Sequence, residues 1–278
     1  MGAGNELCLK GAGPLDYKLV TYEGSPMRFR GPQIDLTKPF LLCLGGSETF
    51  GKYVPQPYPD RLSAMLGRPV ANMAAMNAGL ELALGDGAIA DAMSRAEAIV
   101  LQITGAHHLT NRFYQVHPRR NDRFLQPSDI LRVIYREVDF TDFYFSRHML
   151  EHLLTCSEDR FKIVVDELKM DWMARMRSLL NRAICPVHLL WIGHRPPAET
   201  GYCRELGADP LFVTKEMLEE IAAQAASLTI CVTTREEQQK PTRGMFFGLG
   251  EEKIARALLG PDIHVRAARD LSEKILKL

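Results

Sequence analysis

The residues most suggestive of chemistry stand in one stretch, Gly45, Gly46, Ser47, Glu48, Thr49, Phe50 and Gly51. A serine hydroxyl on a glycine-flanked turn can attack an electrophilic carbon, provided a neighbouring base takes its proton. Phe40 to Leu44 precede it as five apolar residues in a row. Such a run, cut off by glycine, reads as a strand buried on both faces inside a parallel sheet. The glycines let the chain turn at the strand's carboxyl end, which is where open α/β sheets bind ligands. Gly46 to Lys52 also fit the phosphate-cradling pattern GxxxxGK, with Tyr53 in place of its Ser/Thr. That reading needs an immediate helix, which Pro55, Pro57 and Pro59 oppose. The plain alternative is a glycine turn whose serine caps the chain.

A second group is basic: Arg112, His117, Arg119, Arg120 and Arg123 fall within twelve positions. Guanidinium forks suit carboxylate, sulfate or phosphate, although a charge run is commonly just a solvated surface. The expectation here is a site preferring an anionic or strongly polar ligand.

Five strands must position these groups. They read at 40–44, 69–74, 98–105, 186–193 and 227–233, the fourth ending in His194 and Arg195. Helical periodicity lies between them at 58–66, 80–96 and 214–225, and after them at 251–259 and 265–277. Alternating strands and helices imply right-handed crossovers and a doubly wound parallel five-stranded sheet, an α/β fold in three layers of order 2-1-3-4-5. That order gathers Ser47, Gly79, His107 and Arg195 along one edge. Residues 16–31 read as an amino-terminal β-hairpin flap around Glu23 and Gly24, and 106–124 as a polar loop. Residues 127–182 read as a helical insertion, either a cap or a dimerisation surface. With no repeat, linker or charge break, one domain spans 1–278.

The stretch at 45–51 resembles the first block, GDSxTxG, of the SGNH/GDSL hydrolases, with Gly46 in place of the usual aspartate. The resemblance continues through TyrProAspArgLeuSerAlaMetLeuGly (58–67) and AsnMetAlaAlaMetAsnAlaGly (72–79), and is good over about 39–110. It implies a serine esterase or acyl hydrolase/transferase acting on a small or carbohydrate-type acyl ester, without metal or cofactor. Ser47 would be the nucleophile. The family's carboxy-terminal D-x-x-H before the last helix has its counterpart in Asp262 and His264, two residues apart instead of three, so that His264 would be the base and Asp262 a doubtful orienter. The resemblance places the oxyanion hole at the Ser47 amide, at Asn77 or Gly79, and at His107, His108 or Asn111, because the third block reads Gly-Ala-His-His. Substrate contacts would come from Arg112, Arg119, Arg120, His194 and Arg195. The departures in the later blocks leave open a catalytically degenerate binding protein of the same fold, and the glycine loop leaves open a nucleotide or sulfonucleotide binder.

Composition excludes other classes. Lys plus Arg and Asp plus Glu are both 34, so nothing points to nucleic acid or a membrane. No apolar run approaches a membrane span, and the first ten residues lack the apolar core of a signal peptide. The six cysteines are scattered without a CxxC pair. Thiols in apolar runs read as buried and reduced, which points to a cytoplasmic protein; the helical insertion at 127–182, read as a dimerisation surface, adds the expectation of a homodimer.

Overall fold

Five apolar segments pair side by side in the computed structural model, which describes residues 13–199, 206–207 and 209–277. They are β1 (Leu41–Leu44), β2 (Val70–Asn72), β3 (Ala98–Gln102), β6 (Val187–Gly193) and β7 (Ser227–Val232). All neighbours are parallel and the order is β2-β1-β3-β6-β7. Counted by sheet strands alone this is 2-1-3-4-5, the order expected from the sequence.

The sheet divides the core because successive side chains on a strand face opposite ways. Leu42, Leu44, Ile99, Leu101, Leu189 and Trp191 join one cluster. Leu41, Cys43, Val100, Leu190 and Ile192 join the other. The second face is covered by α2 (Tyr58–Leu66) and α11 (Pro261–Ile275), which also pack on each other. The first is covered by α3 (Leu80–Gly85), α4 (Gly87–Met93), the long α7 (Glu158–Arg182) and α8 (Lys215–Ala222).

Several local readings change. The helix expected over 80–96 is split at Asp86, whose carboxylate accepts from the amides of Ala88 and Ile89 and so caps α4. The polar loop at 106–124 contains an antiparallel ribbon of β4 (Tyr114–His117) and β5 (Arg120–Pro127). Its alternation of buried Tyr114, Val116, Asn121 and Phe124 is hidden among charged residues. The hairpin at 16–31 reduces to one antiparallel bridge, Val20 to Phe29, with Gly24 at φ +85° in the turn. The segment at 127–182 holds α5 (Asp129–Ile134), a short 3-10 turn, α6 (Ser146–Cys156) and α7. The last helix begins at Pro261, a residue suited to a first helical position, and not at 265. Asp262 and His264 therefore lie inside its first turn.

Candidate active-site cleft

The turn after β1 is built on a single glutamine. Gln102, the last residue of β3, is buried against it. A Cβ on Gly45 would stand 2.4 Å from Thr49 Oγ1 and 2.5 Å from Gln102 Oε1, so only glycine fits there. Gln102 Oε1 accepts from the Gly46 amide (3.0 Å), the Thr49 amide (3.1 Å) and Thr49 Oγ1 (2.6 Å). Three donors on one oxygen fix the amide's orientation. Its Nε2 must then face Glu48, donating to Oε2 at 2.7 Å. Because the Thr49 proton is committed to Gln102, Tyr58 donates its own hydroxyl proton to Thr49 (2.9 Å).

This frame presents Ser47 at the start of α1 (Ser47–Phe50), 8 % exposed. Its amide opens the helix and has no acceptor within it. Its hydroxyl donates to Asn77 Oδ1 and accepts from the Asn77 amide, both at 3.1 Å. Asn77 holds a left-handed conformation, φ +58°, one that asparagine tolerates better than most residues. Its Nδ2 donates to Asp122 of β5.

Ser47 opens onto a cleft of ≈ 560 Å³ along the carboxyl ends of the strands, within the size range of small-molecule sites. After β3, Thr104, Gly105 and His108 line it; after β6, His194, Asp209 and Pro210; from α6, Arg147; and from the loop before α11, Ala257, Leu258 and Leu259. His107 and His108 pack ring against ring, 3.8 Å between centroids. His107 is 1 % exposed and turned away from the cleft, its Nε2 3.7 Å from Asp209 Oδ1 and its Nδ1 without a partner. Burial pushes both imidazoles below their ordinary range, with Asp209 opposing. Asp122 also opposes at His108. Both histidines are therefore neutral near pH 7, and a neutral imidazole can accept a proton. Burial alone would raise the Asp209 carboxyl, but His107, His108, Arg147 and the Leu211 amide outweigh it and hold it low.

The cleft brings together Ser47, Asn77 and His194 of the residues singled out in the sequence. The others stand elsewhere. His264, 1 % exposed, accepts the Tyr58 amide proton on Nδ1 at 3.2 Å and stacks on the Tyr58 ring. Burial, then Arg30 and Arg61, push it down to about 3. Among the described residues no hydrogen bond joins it to Ser47 or to Asp262, and it does not line the cleft. Asp262 lines a neighbouring groove with Arg266. The physical reason is helical: both sit within α11, below the loop that reaches the cleft, and Leu258 and Leu259 occupy that loop. Gly79 is no oxyanion donor, since its amide gives its hydrogen to Asn121 Oδ1 at 2.6 Å. Asn111 closes an Asx turn, accepting from the amides of Phe113 and Tyr114. His107 is buried and does not line the cleft, whereas His108 does. Arg112 pairs with Glu167 at 3.5 Å, and Arg119 and Arg120 are exposed at the β4–β5 turn. Arg195 packs its guanidinium against Gly207. Lys52 lies over the Tyr53 ring, and α1 ends after four residues at Gly51 (φ +75°). That is not the strand-to-helix cradle a phosphate loop needs.

Sequence reasoning missed Glu48, Arg147 and Asp209 as cleft residues, and offered His108 only as an alternative oxyanion donor. For His108 a signal existed, its place just after the third strand; Arg147 and Asp209 arrive from distant segments. Among the described residues, no group of three or more His, Cys, Asp or Glu side chains is placed to hold a metal ion. No helix there is long and apolar enough to cross a membrane. Cys43, Cys156, Cys185 and Cys231 are free thiols, while Cys8 and Cys203 lie outside the described residues.

Residues 7–278 match the family described as domain of unknown function DUF6473. No curated protein matches the chain. Among solved structures, the lipase Lip_vut3 from a goat rumen metagenome is similar at 11% identity and a TM-score of 0.39, over 85% of this chain and 97% of that one.

Proposed function

The chain belongs to the DUF6473 family, and from the geometry of its cleft we propose that Ser47 is the nucleophile of an acyl ester hydrolase or transferase of SGNH type, acting on a small or carbohydrate-type ester. The observation that carries this reading is the presence, in one cleft at the sheet's carboxyl edge, of a hydroxyl fixed by Asn77 and of the neutral imidazole of His108. In the reaction Ser47 Oγ bonds to the acyl carbon and its proton passes to His108. The Ser47 amide faces the developing oxyanion. His108 returns the proton to the departing alkoxide as the acyl C–O bond breaks, and water or an acceptor hydroxyl then takes the acyl group by the reverse sequence.

A fluorophosphonate probe followed by mass spectrometry tests this. Wild type should carry the label on Ser47, and Ser47→Ala should carry none. An unlabelled wild type that also leaves p-nitrophenyl acetate and butyrate untouched above background rejects the reading. A second reading, a binding protein built on the same fold, is favoured by Leu258 and Leu259, which border the cleft in the loop before the last helix where the family's pattern supplies a histidine. It predicts ligand binding without labelling.

A further inference from the structure

Three charged side chains line the cleft among the described residues: Glu48, Arg147 and Asp209. Two of them are engaged with each other. Arg147 Nη1 stands 3.6 Å from Asp209 Oδ2, its Nε 3.2 Å from Glu151, and its Nη2 donates to the Gly207 carbonyl. Among the described residues Glu48 forms no such ion pair. Its side-chain partner is the neutral amide of Gln102, which the three donors on Oε1 prevent from turning away. The surroundings add negative potential, because Asp122 stands behind Asn77. Burial raises the Glu48 carboxyl above its ordinary range and Asp209 adds to the shift, while Gln102 opposes it. Arg195 packs against Gly207 without being a lining residue.

We infer that Glu48 makes this cleft selective for a ligand bearing a cationic amine, seated beside Ser47. An ammonium group would give Glu48 a counter-charge, and in a partly buried cleft that attraction is far less screened than in water. Ile103, Ile192, Leu258 and Leu259 offer an apolar wall to the ligand's hydrocarbon part. The sign is opposite to the one the basic residues at 112–123 suggested, and those residues do not line the cleft. The inference rests on the reading of this cleft as the ligand site, and it applies equally to a hydrolase or a binding protein.

Titration calorimetry of butylammonium against butanol at pH 7 decides it. Wild type should prefer butylammonium by at least about tenfold, or ~1.4 kcal/mol. Ser47→Ala should keep that preference, because it removes no charge. Glu48→Gln should reduce it below about twofold, while its side-chain carbonyl still accepts from Gln102. Glu48→Met repeats the comparison if the glutamine variant does not fold. Equal binding of the two probes by wild type, or a tenfold preference surviving in the Glu48 variant, overturns the inference. Failure of Ser47 to label with the preference intact would reject the hydrolase and leave this inference standing; labelling without the preference would do the reverse.

Discussion

His108 and His264 begin from the same amino acid and meet opposite fates. Both are pushed toward neutrality by burial. His108 lines the cleft in a short turn after β3, with Asp209 and Asp122 close enough to favour its protonation. His264 is sealed between α2 and α11, one ring nitrogen accepting from the Tyr58 amide, its charged neighbours Arg30 and Arg61 opposing a proton. Proximity to the last helix, the feature that singled out His264 in the sequence, is therefore not what makes a base. A base needs access to the reacting group and an anion that welcomes the imidazolium. Of these two histidines, His108 is the one that lines the cleft with carboxylates beside it, and the proposed reaction assigns it the base.

The sharpest way to break this comparison is to remove each ring. On the hydrolase reading, His108→Ala should cut fluorophosphonate labelling of Ser47 by roughly 10²–10⁴, the range of general-base catalysis, with little change in melting temperature. His264→Ala should do the reverse. It leaves the buried Tyr58 amide without an acceptor, at about 1–3 kcal/mol, and opens a cavity beside the Tyr58 ring. The folded fraction should still label at close to the wild-type rate. Urea melts and labelling time courses on the same samples separate the two. If His264→Ala abolishes labelling at full stability, the assignment made here is wrong.

How much of this was legible beforehand follows from what each feature depends on. The sheet was readable because its strands are buried on both faces, which forces continuous apolar runs such as Phe40 to Leu44 and Leu189 to Ile192. Ser47 was readable because the same run ends in two glycines, the first demanded by the packing of Thr49 and Gln102 and the second by the approach of the Ala78 carbonyl. Asn77 was reached only through the family resemblance, as one of two positions for its oxyanion glycine. The rest depends on contacts between distant segments. Gln102 looks like any polar residue at a strand end until its three donors are seen. Asp209 and Arg147 lie 62 residues apart in the chain and meet only through α6 and the segment after β6. Asn121, read as part of a polar loop, is fully buried and takes the Gly79 amide that the family's pattern would offer to an oxyanion.

The same contrast predicts a pH effect. His264 is held at about 3 when folded, against an ordinary 6.5. Below pH 6.5 the unfolded chain takes up a proton there and the folded chain does not. The stability from this site is thus complete above about pH 6.5 and is lost as pH falls toward 3, with a slope of at most ~1.4 kcal/mol per unit. His107, His108 and His188 are lowered as well, so the wild-type curve alone sums several sites. His264→Gln isolates one, because the glutamine carbonyl still accepts from Tyr58. Between pH 7 and pH 4.5 wild type should lose roughly 2–3 kcal/mol more than this variant in urea unfolding. Parallel losses would show that His264 is not the buried neutral group described.

The smallest expected effect concerns the residues that looked most like a ligand clamp. Arg119 and Arg120 project from the β4–β5 turn, exposed, and neither lines the cleft. Their backbone amides are held by His117 Nδ1, so replacing both side chains with alanine leaves the turn's own hydrogen bonds in place. Substitutions of this kind usually change stability by less than about 0.5 kcal/mol. Their charge reaches the cleft only through solvent, where at physiological salt it is screened beyond about 8 Å. Arg119→Ala/Arg120→Ala should therefore match wild type in melting temperature, in Ser47 labelling and in butylammonium affinity at 0.15 M salt, to within about twofold. Lowering the salt should reveal a slight gain in butylammonium binding, because two distant positive charges have gone. A tenfold loss of binding or labelling would mean that the ribbon reaches over the ligand, and that the cleft's boundary runs through β4 and β5, not beside them.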